Sequence, residues 1–168
     1  VNQNKQDKLD KIYLEIAKLF ASMSEAEKLK VGAIAVKDKR IISTGWNGTP
    51  SGWHTNECEE KIVIYPEGFL SPEEYLEMGY HINNGEIYRY ETYPEVLHAE
   101  QNLLCKVAKS TDSLENSDVY CTHSPCPNCA KLLAQSGINS FTYIDDYKDL
   151  FGRTLLEQLG VKVRKISG

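Results

Sequence analysis

Pro125, Cys126, Pro127, Asn128 and Cys129 set two thiols in a Cys-x-x-Cys spacing where the pattern predicts a helix starting just after a strand. A helix N-terminus offers free N–H groups and a partial positive charge, which stabilise thiolates, and the spacing lets both sulfurs reach one ion. Alone, the pair fits a metal clamp or a redox dithiol equally well. His98-Ala99-Glu100, at the start of the preceding expected helix, weighs the choice toward metal. One His and two Cys make a three-ligand set, which leaves the fourth position of a tetrahedral Zn2+ open for water, the pattern of a catalytic zinc.

Glu100 follows His98 by two residues, so on a regular helix it would project about 200° away around the axis. Non-helical geometry at His98 would bring both side chains to one pocket. A carboxylate there can take a proton from water and return it to a substrate, the work of a general acid/base. The bland alternative for His98 and Glu100 is a helix start with an acidic first turn. A redox protein would account for the Cys pair alone, and a zinc-stabilised binding module would leave Glu100 without a role.

The elements that must hold these residues follow from periodicity. Leu9, Ile12, Tyr13, Ile16, Leu19, Phe20 and Met23 recur at helical spacing and predict a helix packed on a sheet. Val31 to Val36 and Arg40 to Trp46 read as a hairpin. Residues 97–109, 126–136 and 153–159 then predict helices, alternating with strands at 119–122, 141–144 and 161–166, with Gly137 and Gly160 as helix stops. This order implies an α/β fold with a largely parallel half-sheet joined to the antiparallel hairpin. Between them, about 49–97, lies an insertion of the length expected of a lid or binding loop, with a short helix announced by Ser71, Pro72 and Glu74 and closed by Gly79.

Composition narrows the partners. With 168 residues, 41% hydrophobic and 26% charged, the chain is sized for a single globular domain over 1–168. Nineteen Lys plus Arg against twenty-four Asp plus Glu give a charge of −5, too acidic for a partner as polyanionic as long nucleic acid. No apolar run nears the roughly 20 residues that span a bilayer, and no short apolar leader opens the chain, so the expected compartment is cytoplasmic, with no membrane partner. The five cysteines are too unevenly placed for a disulfide framework. Cys105 and Cys121 read as buried inert thiols, and His54 with Cys58 offers two ligands of a second zinc, His81 or His123 being distant additions.

His-x-Glu followed by Pro-Cys-x-x-Cys is the signature of zinc nucleobase deaminases, and from about Leu9 to Ile166 the chain resembles the cytidine and deoxycytidylate deaminase family. His98, where nucleoside deaminases carry Cys, argues against that branch. The long segment before His98 and the negative charge argue against tRNA adenosine deaminases, and His123-Ser124-Pro125 against polynucleotide cytidine deaminases. The length argues against a riboflavin-pathway deaminase fused to a reductase. Val31-Gly32-Ala33, the run from Gly45 to Gly52 and the run from Tyr93 to Glu100 are most similar to deoxycytidylate deaminases.

That resemblance implies a three-layer cytidine deaminase-like fold, a mixed central sheet of about five strands flanked by helices. It implies hydrolysis of dCMP to dUMP and ammonia, with Glu100 catalytic and His98, Cys126 and Cys129 on one catalytic zinc. Substrate contacts would come from Asn47, Tyr93, Val96, Ala99, Ser124 and Pro125. Asn47 would bond the deoxyribose; its alternative is a turn residue with positive φ before Gly48. For the phosphate, Lys28, Lys30, Arg40, Arg89 and Arg153 are candidates, each equally readable as a solvated surface charge. The Gly48, Pro50, Gly52 loop resembles an effector segment taking dCTP as activator and dTTP as inhibitor, with Mg2+, in a homohexamer. A tRNA or nucleoside deaminase is the alternative.

Overall fold

Gly32–Lys37 forms strand β1, and five of its six residues are buried, so both of its faces must be covered. Ala33 and Ala35 point into one core with residues of three later helices, while Ile34 and Val36 point into another with the first helix. The strict two-residue alternation sorts them. The computed structural model describes residues 2–65, 68 and 70–167, so positions 66, 67 and 69 of the expected insertion lie outside the described residues.

Helix α1 (Gln3–Ala21) covers one face of the sheet. Strand β2 (Arg40–Trp46) pairs antiparallel with β1, as the hairpin reading requires, with a bulge between Ala35 and Val36. After the insertion come α3 (Ala99–Ala108), β6 (Asp118–His123), α4 (Pro127–Gln135), β7 (Ser140–Asp145), α5 (Phe151–Gln158) and β8 (Lys162–Lys165), where β3 to β5 and α2 belong to the insertion. The sheet order is β2-β1-β6-β7-β8, antiparallel as far as β6 and parallel beyond. Helices α3, α4 and α5 bury Leu103, Leu133 and Leu156 on the face opposite α1. This is the expected three-layer α/β fold with a five-stranded mixed sheet, and Gly137 and Gly160 end helices with φ of 80° and 83°. No helix among the described residues is long and apolar enough to cross a membrane.

Two expectations need correction. The buried stripe of α1 is Asp10, Tyr13, Leu14, Ala17 and Ala21, whereas Ile12, Leu19 and Met23, expected to face the sheet, are exposed. The helix is rotated because small residues let it approach β1 closely: a Cβ on Gly32 would lie 2.0 Å from the Ala17 carbonyl oxygen. The larger side chains could not fill that contact. Asp10 is tolerated inside because Tyr120, Gln6 and Arg164 all donate to its carboxylate.

The insertion, read as a loop with one short helix, folds a second sheet. Strands β3 (Glu59–Ile64), β4 (His81–Asn83) and β5 (Glu86–Thr92) pair antiparallel in the order β3-β5-β4, with α2 (Pro72–Glu77) between the first two in sequence. Helix α2 has the expected capping box of Ser71 and Glu74. The strands escaped the pattern because both faces mix charge with aromatic or aliphatic residues, so no apolar period stands out. The available signal was Asn84-Gly85, whose φ values of 50° and 81° form the two-residue turn between β4 and β5.

Candidate active site

His98 is the N-cap of α3, with φ −71° and ψ 159°, and its backbone N–H donates to Gln101 Oε1 at 2.8 Å. The extended conformation takes His98 out of helical register, so it and Glu100 face one cavity. Cys126 caps α4 in the same conformation, with Pro127 opening the helix, and its sulfur accepts the Cys129 N–H at 3.4 Å. Both helix starts sit at the end of the sheet where β6 and β7 finish.

His98 Nδ1 lies 3.5 Å from Cys126 Sγ and 3.4 Å from Cys129 Sγ. For a tetrahedral zinc with Zn–S near 2.3 Å and Zn–N near 2.0–2.1 Å, the N···S edge is about 3.5–3.6 Å. The donor set therefore fits zinc in both chemistry and spacing. Among the described residues no other group of three His, Cys, Asp or Glu side chains converges in this way. His54 instead packs against Trp53 with the rings tilted by 43°, Cys58 is buried with its thiol toward the Asn56 carbonyl, and His81 stacks on Tyr88. The second zinc is thus not assembled by these residues.

The Cys129 thiol, together with His98 and the Cys129 backbone N–H, outweighs burial and lowers the Cys126 pKa to about 4. Glu100 is only 4% exposed, and that burial pushes its carboxyl up to about 7 against the pull of its own backbone N–H and His98. Beneath it, the buried Cys121 holds its sulfur 4.0 Å from Glu100 Oε1. The cavity above has a volume of about 380 Å³, within the range of small-molecule sites.

Of the residues singled out from sequence, Asn47, Val96, His98, Ala99, Glu100, Ser124 and Cys126 line this cavity. Pro125 is buried behind it, and Tyr93 ties the ends of the insertion together through its N–H to the Cys58 carbonyl at 3.0 Å. Asn47 does not have positive φ, so it is not a strained turn residue. Its Oδ1 accepts from Val31 N–H at 2.8 Å and its Nδ2 donates to the Leu29 carbonyl at 2.7 Å. Gly48 exchanges two backbone hydrogen bonds with Leu97, joining the 48–52 loop to the residue before His98.

His123, read from sequence only as part of the His123-Ser124-Pro125 motif and as a distant zinc ligand, also lines the cavity, and Glu59, Thr92, Asp145, Asp146, Tyr147 and Lys148 were not reached by motif reading. Ser124 brings the last of these in, accepting Tyr147 N–H on its hydroxyl at 2.7 Å. Of the cations proposed for a phosphate, only Lys28 lines the cavity among the described residues. Arg89 pairs with Glu91 and Tyr80, and Arg153 bonds Tyr143 and Asp146.

The family described as "Cytidine and deoxycytidylate deaminase zinc-binding region" matches residues 7–145, which include all three donors. The chain belongs to this family. Among deaminases it is 35% identical over 151 residues to the deoxycytidylate deaminase of Enterobacteria phage T2, covering 80% of this chain and 78% of that protein. The dCMP deaminase of cyanophage S-TIM5, solved in complex with dCMP and dUMP, is 40% identical with a TM-score of 0.75, over 95% of this chain and 97% of that one. The apo form of the same deaminase is 39% identical with a TM-score of 0.72, over 95% and 98%. The His98, Cys126 and Cys129 triad thus lies within the matched zinc-binding region and is consistent with a zinc ion there.

Proposed function

We propose that the chain is a zinc-dependent deoxycytidylate deaminase that hydrolyses dCMP to dUMP and ammonia. The observation that carries this reading is the meeting of a zinc-sized His98, Cys126 and Cys129 triad with the buried Glu100 carboxylate in one nucleotide-sized cavity. The cyanophage relative, crystallised with dCMP and dUMP, supports the choice of substrate.

Zinc held by the triad supplies Lewis acidity that makes water acidic enough to yield a nucleophile near neutral pH. Glu100 takes the proton released as the water oxygen bonds to C4 of the pyrimidine and passes it to N3. It then moves the remaining hydroxyl proton to the exocyclic nitrogen, so that the C4–N bond breaks and ammonia leaves. Its burial beneath the cavity keeps bulk water from competing for these protons. The backbone about Ala99, Ser124 and Pro125 reads the base edge and Val96 borders it, while Tyr93, outside the lining, accepts the Val96 N–H on its carbonyl and so holds Val96 in place. Asn47 keeps one amide N–H beyond its two backbone bonds for the deoxyribose. Lys28 and Lys148, neither ion-paired among the described residues, supply charge for the phosphate.

Regulation forms a second part of the reading. The resemblance brings with it effector control by dCTP and dTTP with Mg2+ in a homohexamer, and the backbone bonds from Gly48 to Leu97 beside His98 are the path by which an effector on the Gly48 to Gly52 loop would act on the metal site. The test is ammonia release from dCMP, CMP, deoxycytidine and dCTP in parallel, with and without effectors. Preferential dCMP turnover supports the reading. A zinc-loaded protein inert on all four contradicts it, and effector-blind turnover removes only the regulatory part.

A further inference from the structure

Glu59 opens β3 at the base of the insertion, paired across the small sheet with Thr92, and both residues form part of the cavity wall. Its carboxylate reaches back to the segment between α1 and β1, which has no helix or strand of its own. There Oε2 accepts the Glu27 N–H at 2.9 Å and Oε1 the Lys28 N–H at 3.3 Å. One and three residues past Lys28, Asn47 grips the Leu29 carbonyl and the Val31 N–H. Two side chains from distant elements thus fix the backbone on both sides of Lys28 with four hydrogen bonds.

Lys28 itself lines the cavity and makes no ion pair among the described residues. Glu59 is an acid beside a cation that it does not neutralise, because its oxygens are turned to backbone donors. The arrangement leaves the ammonium for an anion from outside and reduces the entropy lost when that anion orders it.

We infer that Glu59 is a positioning residue: by bridging the Glu27 and Lys28 backbone N–H groups it presents the Lys28 ammonium to the substrate's 5′-phosphate, so that the insertion sets the preference for nucleotide over nucleoside. This rests on the reading of the cavity as a dCMP site. The sign of the effect distinguishes positioning from simple electrostatics. Deleting an acid near an anion site should strengthen phosphate binding by Coulomb's law alone, whereas loss of a clamp weakens it.

The experiment is calorimetric binding of the unreactive product dUMP and of deoxyuridine to the zinc-loaded full chain, with Lys28→Ala, Glu59→Ala, Glu59→Gln and the Lys28→Ala/Glu59→Ala double variant. The parent prefers dUMP. Lys28→Ala cuts that preference by about tenfold or more, and Glu59→Ala cuts it by a comparable factor. Glu59→Gln, which keeps one acceptor, falls between, and the double variant is no worse than Lys28→Ala alone. Equal binding of dUMP and deoxyuridine by the parent, an unchanged or increased dUMP preference in Glu59→Ala, or additive losses in the double variant would overturn the inference. Should Glu59→Ala fail to fold, Glu59→Gln carries the same comparison. A parent that prefers dUMP yet does not turn over dCMP would sink the proposed reaction and leave this inference standing.

Discussion

The carbonyl oxygen of Ala99 lies where Gly45 would carry a side chain: a Cβ built on Gly45 comes within 2.1 Å of that oxygen and 2.8 Å of the Leu103 nitrogen. The first turn of α3 therefore rests directly on the end of β2, and this contact sets the height of His98 and Glu100 above the sheet. Gly152 plays the matching part on the other side, its missing Cβ 2.1 Å from the Pro125 carbonyl oxygen behind Cys126.

Adding one methyl group at either contact should displace a ligand-bearing helix start. Gly45→Ala and Gly152→Ala are each expected to lower stability by about 1–3 kcal/mol and to weaken zinc retention. Chemical denaturation and competition with a chelator measure the two effects. Unchanged stability would mean that these backbone segments yield without strain.

Removing a thiolate from the donor triad should abolish metal binding rather than only slow turnover. Cys126→Ser is expected to bring zinc well below the roughly one ion per chain of the parent, measured by elemental analysis after dialysis. Retention at the parent level would show that the ion is held elsewhere.

Glu100→Gln separates proton transfer from metal binding. It should keep zinc and fold, since Glu100 is not one of the three converging donors, while kcat falls by about 10²–10⁴. Parallel zinc analysis and steady-state kinetics check it, and a variant with near-parental kcat would remove Glu100 from the proposed role.

Asp10 provides a pH-dependent stability term remote from the site. It is fully buried, and although burial opposes its ionisation, hydrogen bonds from Tyr120, Gln6 and Arg164 together hold its pKa below the ordinary value. A carboxyl lowered on folding stabilises above its unfolded pKa of about 3.9, and that contribution is lost as the pH falls through the lower folded value. Thermal melts should therefore drop more steeply below about pH 4 for the parent than for Asp10→Asn, which should be less stable near neutral pH by on the order of 2 kcal/mol. Parallel acid profiles for the two proteins would contradict this.

The strand and helix order was legible because the central sheet is covered on both faces and its segments are short, apolar and bounded by glycine stops such as Gly137 and Gly160. The triad was legible because thiols and imidazole have few other reasons to share that spacing. The rotation of α1 was not, since it depends on how closely Ala17 meets Gly32, a contact invisible to periodicity. Nor were Glu59 and Lys148, which reach the cavity through long-range hydrogen bonds and loop paths that leave no local pattern. Asn47 was found by resemblance, yet its observed bonds to Leu29 and Val31 show a structural task that the motif does not convey.

The most direct test of the proposed reaction is to incubate the zinc-loaded protein with dCMP in H2-18O and follow ammonia and the mass of the nucleotide product. Hydrolytic deamination predicts ammonia equimolar with dUMP carrying one 18O at C4, both lost in Glu100→Ala. Unchanged dCMP in the presence of bound zinc, or dUMP formed without the label, would contradict it.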